Sequence, residues 1–399
     1  MSDIMQAEMK KKAQKWPMVS IKSVSTVVTG KTPSKKEADN FGGDIPFVTP
    51  VELGKEPYVY SSSQTITKKG AKAIKLVPKN SVLVCCIGSL GKTAIAGCEV
   101  GTNQQINSVI FDESKVFPKY GYYALNRLKS LMVSLAPSTT VAIINKSNFE
   151  ALEIPLPLLE EQKRIAAILD KADAIRRKRQ QAIKLADDFL RSVFLDMFGD
   201  PVTNPKGWEV TLLGNVVESQ LGKMLSQKAK VGNSPKKYLR NANVRWRRFD
   251  LHNLLKMDFD SREMKKFKLK NGDILVCEGG DVGRCSIWRD NVSDCYYQKA
   301  LHRIRPDLKV LTPEYVQEYF YWMSNRGGLS DSVSEVTFSH LTAEKLKELR
   351  IPIPPVALQN KFSVLYKSFE LLVSKNELAL QIVDEKFNSI SQKTFSDEL

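Results

Sequence analysis

Two stretches concentrate the side chains that could do chemistry. Gly88-Ser89-Leu90-Gly91-Lys92-Thr93 invites comparison with a phosphate-binding loop. Such a loop needs a glycine five residues before its second glycine, and Cys86 stands there. A related stretch, Gly280-Asp281-Val282-Gly283-Arg284-Cys285, lacks the Lys-Thr pair. Nucleotide hydrolysis is therefore disfavoured. The stretches read as glycine-bent turns after a strand, presenting Ser89 and Lys92, or Asp281 and Arg284, to a ligand; a plain tight turn is the alternative.

The second concentration is Tyr238-Leu239-Arg240-Asn241-Ala242-Asn243-Val244-Arg245-Trp246-Arg247-Arg248, with four Arg and two Asn. Arg pairs with guanine and Asn with adenine in the DNA major groove, and further cations hold phosphates. A solvated charged loop is the competing reading. Phe47-Val48-Thr49-Pro50-Val51-Glu52-Leu53 has the same apolar frame without the cations. Lys68-Lys69 and Lys265-Lys266 read either as phosphate contacts or as solvent-facing charge.

Catalytic constellations are missing from this pattern. The three histidines, His252, His302 and His340, all fall in the second half of the chain, a poor design for general acid–base work in a duplicated protein. Amino-methyltransferase and dinucleotide signatures are absent, and Pro306-Asp307 lacks the acidic-x-Lys element of a nuclease. Six cysteines form no CxxC pair. That argues against zinc and for a reducing, cytoplasmic compartment. Cys85 and Cys277 sit in apolar strand-like runs, as small hydrophobes do.

The elements that must position these residues repeat. A basic tail (1–15) precedes strand-like runs at Ile45-Pro46-Phe47-Val48 and Ser81-Val82-Leu83-Val84-Cys85. A helix is expected over 119–136, with Leu125, Leu128, Met132 and Leu135 on one face, and a short one over 147–152. Ile154-Pro155-Leu156-Pro157 bars both helix and central strand. After a turn-rich linker the order restarts. Trp16, Gly30-Lys31, Leu83-Val84-Cys85 and the glycines 88 and 91 return as Trp208, Gly222-Lys223, Leu275-Val276-Cys277 and glycines 280 and 283. Asn103-Gln104 is answered by Tyr297-Gln298, and the proline run by Ile351-Pro352-Ile353-Pro354, with Gln162 matching Gln359.

Each copy is followed by a long charged helix. In 159–197 the apolar positions step by seven through Ile165, Ala172, Ala186 and Val193, and through Ile168, Ile175, Ala182 and Phe189. The second seam runs through Phe362, Phe369, Val383 and Ile390, with Leu365, Leu372 and Ala379 between. A helix of this length spans about 60 Å. Packed antiparallel, the pair would bring Arg179 and Asn376 into one polar layer; the alternative is that both reach water. The expected fold is α/β: two pseudo-twofold-related α/β domains separated by a long antiparallel two-helix coiled coil. The expected boundaries are the tail at 1–15, a domain at 16–157, helix and linker at 158–206, a domain at 207–354 and a helix at 355–399.

Length and charge agree with that plan. The chain has 399 residues, is 42% hydrophobic and carries a net charge of +16, which points to a polyanion, nucleic acid before membrane. No apolar run approaches the ~18 residues of a membrane span.

Taken in order, these features resemble the specificity (S) subunit of type I restriction–modification enzymes across nearly the whole chain. The resemblance is carried by Trp16 and Trp208, 238–243, the paired glycines, Asn103-Gln104, Gln298-Lys299 and above all Ile154-Pro155-Leu156-Pro157-Leu158-Leu159-Glu160-Glu161-Gln162-Lys163-Arg164-Ile165. The second proline segment is looser, with Ala357-Leu358-Gln359-Asn360 for Glu160-Glu161-Gln162-Lys163. The resemblance implies two target recognition domains, each reading half of a split site in double-stranded DNA, with the helices as a ruler between them. It implies a non-catalytic chain without cofactor. Its partners would be two modification (methyltransferase) subunits and restriction motor-nuclease subunits, which would hold S-adenosylmethionine, ATP and Mg²⁺. The candidate DNA contacts are Lys31, Thr32, Ser34, Lys68, Lys69, Ser89, Lys92, Asn103 and Gln104 in the first copy. In the second they are Lys223, Ser226, Arg240, Asn241, Asn243, Arg245, Arg247, Arg284, Gln298 and Lys299. The alternatives are a stand-alone DNA nuclease or methyltransferase, and a coiled-coil adaptor that binds protein only.

Overall fold

The computed structural model describes residues 16–136, 141–225, 235–329 and 340–396. The tail 1–15 and Ser226 lie outside them. The chain forms two compact units, Met1–Arg179 with Ala379–Leu399, and Gln180–Leu378.

The first unit opens with Met18–Ser20, paired antiparallel with Glu153–Pro155. This two-stranded ribbon is where a Pro-containing strand is tolerated, because the ring removes a donor that only an interior strand needs. A five-stranded sheet follows in the order Ser25–Thr29, Ile106–Phe111, Val82–Cys85, Thr93–Ala96, Tyr58–Val59. A three-stranded sheet places Phe41–Val48 between Gln64–Ile66, antiparallel, and Gly101–Thr102, parallel. The expected helix over 119–136 is broken at Leu128 into Pro118–Arg127 and Lys129–Leu135. Leu125 and Met132 are buried, but Leu135 is exposed. The short helix spans Lys146–Glu150.

The second unit repeats this plan, except that its main sheet has four strands, with none answering Tyr58–Val59. Val210–Leu212 pairs with Arg350–Pro352. The main sheet runs Val217–Leu221, Leu301–Pro306, Ile274–Cys277, Cys285–Ile287. The small sheet sets Pro235–Leu239 between Leu255–Asp258, antiparallel, and Cys295–Tyr297, parallel. The added feature is a hairpin of Val244–Arg245 and Arg248–Phe249.

The long helices are Leu159–Phe198 and Val356–Ser396. Within the second unit they run antiparallel: Phe194 and Phe198 meet the Phe362 ring at 5.6 and 5.4 Å, while Asp187 and Phe369 meet through Arg247. In the first unit Arg176 lies over the Phe387 ring at 5.6 Å.

The heptad seam needs correction. Ile175, Phe189, Leu365 and Leu372 are exposed, Phe189 by 65%, and the side chain of Ile390 is outside the described set. The buried positions are Gln162, Ile165, Ala166, Leu169 and Asp173, then Leu190, Phe194 and Phe198 on the first helix, and Gln359, Phe362, Ser363 and Tyr366 on the second. These steps of three and four follow one face of a straight 3.6-residue helix, because each helix is packed into a domain core rather than only against a sister helix. Arg179 and Asn376 are both partly buried, and Asn376 donates to its own helix at Leu372 O (2.9 Å).

The matched glutamines join helix to domain. Gln162 Oε1 accepts from the Phe117 amide, and its Nε2 donates to Lys115 O and Pro157 O, each bond 2.8 Å long. Gln359 makes the same three bonds, to Thr312, Val310 and Pro354, at 2.8–2.9 Å. Both side chains are wholly buried, where an amide is tolerated only when its polar atoms are satisfied.

Candidate nucleic-acid interface

In each copy a Gly-Lys pair leaves the first strand of the main sheet and crosses the small sheet. Gly30 is needed for that crossing, since a Cβ would sit 2.2 Å from Asn103 O; at Gly222 it would sit 2.2 Å from Gln298 O. The backbone bonds also set the true register of the repeat. Asn103 N donates to Val48 O (3.2 Å) and Gln298 N to Leu239 O (3.1 Å). Asn103-Gln104 therefore answers Gln298-Lys299, one residue beyond the match with Tyr297-Gln298 expected from sequence.

The first copy presents a cleft of about 690 Å³ rich in amides and hydroxyls, lined by Thr32, Lys35, Thr49, Gln64, Asn103, Gln104 and Gln105 among others. Thr32 Oγ1 donates to Gln104 Oε1 (2.7 Å), which turns the Gln104 amino group outward. Asn103 Nδ2 donates to Gln105 Oε1 (2.9 Å) and Asn103 Oδ1 accepts from the Gln105 amide (3.1 Å). Lys35, Gln64 and Gln105 were not singled out from sequence. Gln105 continues the amide run; Gln64 is distant in the chain and only the strand pairing brings it in. Lys31, Ser34 and Lys68 are exposed, and Lys69 is exposed but paired with Glu37 at 3.0 Å.

The glycine-rich stretches are hairpin turns. Gly88 and Gly91 have φ of 77° and 73°, Gly280 and Gly283 of 76° and 81°, a region that favours glycine. A strand, not a helix, follows each, so no helix N-terminus exists to cradle phosphate. Ser89 and Lys92 are exposed. Arg284 turns inward, to Asp281 Oδ2 and Asn241 O, both at 3.2 Å.

In the second copy three expected contacts are committed to the fold. Arg247 lies in the left-handed region (φ 63°), with a side chain only 8% exposed. Its guanidinium grips the fully buried Glu318 through two nitrogens, pairs with Asp187 and covers the Tyr321 ring at 4.7 Å. Burial opposes the Arg247 cation, but Glu318 and then Asp187 outweigh it and hold the proton more tightly than usual. Asn243 is buried, accepting from Arg240 N (3.0 Å) and donating to Asp250 O (2.9 Å). Lys223 is held by Asp258 O (2.7 Å) and Glu263, over the Phe259 ring. All three side chains are engaged by groups of the fold itself rather than turned out toward a ligand. Arg240, Asn241 and Gln298 are half-buried, while Arg245 and Lys299 are exposed. Asn241 Nδ2 donates to Gly279 O (2.8 Å). Arg248 is exposed and reaches Glu377.

Burial pushes the Cys277 and Cys86 thiols up to about 11 and about 12, so neither is a thiolate near neutrality. Among the described residues no cluster of three or more His, Cys, Asp or Glu is placed to hold a metal, and no helix is long and apolar enough to cross a membrane.

Comparison with known proteins covers the same two units. The model of the type I restriction modification DNA specificity domain matches residues 13–185 and again 205–375. The specificity subunit of the type I restriction enzyme MjaIX of Methanocaldococcus jannaschii is 26% identical, over 96% of this chain and 93% of its own. The EcoBI specificity subunit of Escherichia coli is 22% identical over 96% and 86%. Among solved structures, the S subunit of a type I restriction–modification system from M. genitalium superposes with a TM-score of 0.59 at 17% identity, covering 96% of this chain and 97% of that one.

Proposed function

The chain belongs to the type I restriction modification DNA specificity family, and from that premise we propose that it is the non-catalytic subunit that reads a two-part sequence in double-stranded DNA. The carrying observation is the pairing of one backbone plan with two unlike polar faces. In the first unit the base-reading set is Thr32, Thr49, Gln64, Asn103, Gln104 and Gln105, because amides and hydroxyls both donate and accept at base edges. In the second it is Arg240, Asn241 and Gln298. Lys31, Ser34, Lys35, Lys68, Ser89, Lys92, Arg245 and Lys299 are phosphate contacts, exposed or near the cleft rims.

Two methyltransferase subunits that bind S-adenosylmethionine dock along the long helices. The exposed Leu185, Phe189, Leu365 and Leu372 of the second unit supply apolar surface for one of them. Motor-nuclease subunits supply ATP- and Mg²⁺-dependent cleavage.

The test is the methylated-adenine pattern of the source genome. A split motif that disappears when this chain is deleted is the expected result; an unchanged pattern rejects the reading. The purified chain alone should bind DNA with a steep salt dependence and turn over neither with Mg²⁺ nor with S-adenosylmethionine. Turnover by the lone chain would favour a stand-alone enzyme, and absence of DNA affinity a protein adaptor.

A further inference from the structure

We infer that each recognition domain is keyed to its own long helix by charges reversed between the two units, so that neither domain seats correctly on the other's helix. The glutamine bonds fix which residues correspond. Phe117 answers Thr312. Tyr120 answers Tyr315, their hydroxyls donating to Pro155 O (2.6 Å) and Pro352 O (2.9 Å). Lys119 therefore answers Glu314.

In the first unit the Lys119 ammonium sits on Asp170 of the long helix at 2.5 Å, and the Tyr123 hydroxyl donates to the same carboxylate at 3.0 Å. In the second, the buried Glu314 accepts from Ser363 Oγ of the long helix (2.9 Å) and pairs with Arg289 (2.8 Å), which also holds Glu370 at 3.0 Å. A second contact reverses as well. Gly54 N bonds to Thr93 O, and Arg247 N to Cys285 O, so the loops that follow correspond. The first sends an acid to a helix cation, Glu56 to Arg177 at 2.7 Å. The second sends a cation to a helix acid, Arg248 to Glu377.

Transposition turns the first of these attractions into a conflict and leaves the second without its partner, since Arg177 answers Ser374 and Glu377 answers Gln180. Because Gln162 answers Gln359, Asp170 answers Lys367 and Ala166 answers Ser363. The second domain on the first helix would leave Glu314 facing Ala166, which cannot donate, with the acid Asp170 standing where Lys367 stands on its own helix. The first domain on the second helix would set Lys119 against Lys367. Specificity built from repulsion in the wrong pairing needs no change in the buried frame.

Thermal unfolding of the full-length chain tests this independently of DNA binding. Lys119→Glu should lower the transition by about 2–4 °C, and Asp170→Lys added to it should recover most of that loss. Strict additivity of the two changes overturns the key. A second chain, with 16–157 and 208–354 exchanged, should unfold at lower temperature than the native order. Lys119→Glu with Glu314→Lys should raise the transition of the exchanged chain and lower that of the native chain. The same sign in both arrangements, or an exchanged chain as stable as the native one, overturns the proposal. If the exchanged chain does not fold, the Lys119–Asp170 cycle decides alone.

Discussion

In the first unit the strand Phe41–Val48 runs into a turn closed by a carboxylate: Thr49 gives its amide to Glu52 at 2.8 Å, and Ser63 donates to the same side chain. In the second unit Pro235–Leu239 runs into the same turn closed by an amide, Arg240 N to Asn243 Oδ1 at 3.0 Å. Farther on, the first copy has Gly54 at φ 79° where the second has Arg247 at φ 63°. One backbone has thus been stabilised in two ways, by a solvated carboxylate and a glycine, or by an amide and a buried guanidinium. A basic residue in a reading loop is no guide to what it touches; Arg245 faces outward and Arg247, two residues on, is the keystone of its hairpin.

The largest effect should come from Arg247→Ala. It leaves Glu318 and Asp187 without their cation, a loss of about 3–5 kcal/mol for a broken buried pair. Chemical denaturation should register it in the second unit, whereas Gly54→Ala, at the matching position, should cost only about 1 kcal/mol. Equal losses would break the contrast drawn between the two loops. Next, Gln162→Ala and Gln359→Ala should each cost about 1–3 kcal/mol by orphaning buried backbone groups. Here near-equality is expected, and a clear difference would mean the two joints are not alike.

Binding should then separate the faces. Gln104→Ala should relax the sequence preference at one half-site by about 1–3 kcal/mol. Lys299→Ala should weaken all sequences alike and reduce the salt slope by about one. Competition binding on randomised half-sites, repeated across salt, tells these apart. Inserting one helical turn in both long helices should change the gap between half-sites and leave the recognised bases unaltered, as the methylated motif would report.

The smallest effect is on pH. Burial pushes the Glu52 carboxyl up, but hydrogen bonds from Ser63 and Thr49 outweigh it and hold it below the ordinary value of 4.5. A depressed folded-state value contributes stability above pH 4.5 that is lost as pH falls through the lower folded value. Glu52→Gln should flatten that acid limb in the first unit, while Asn243, which does not titrate, gives the second unit no equivalent slope.

How much of this was legible depended on whether the reason for a residue was local. The paired glycines, the proline runs and the matched glutamines recur because a backbone conformation or a missing donor demands them, and they placed both domains and both helices. The amide run at 103–105 was half seen, and the repeat there slipped by one residue because two unlike sequences occupy the same turn. Arg247 and Lys223 were misread because their partners lie elsewhere in the chain: Glu318 and Glu263 come together with them only once the sheets form, whereas Asn243 is spent closing its own turn. The helix seams were misjudged at Ile175, Phe189, Leu365 and Leu372 because a seven-residue step fits both a coiled-coil edge and a stripe left open for another surface.

The buried glutamines carry a wider consequence. Gln162 and Gln359 each tie the start of a long helix to the proline segment before it and to the N-terminal cap of the helix Pro118–Arg127 or Pro313–Asn325 through main-chain groups alone. One anchor of each recognition domain on its helix therefore lies where no loop side chain takes part. New target preferences can arise by substitution at the loop tips without tilting the domain that holds them, so diversification and aim are decoupled.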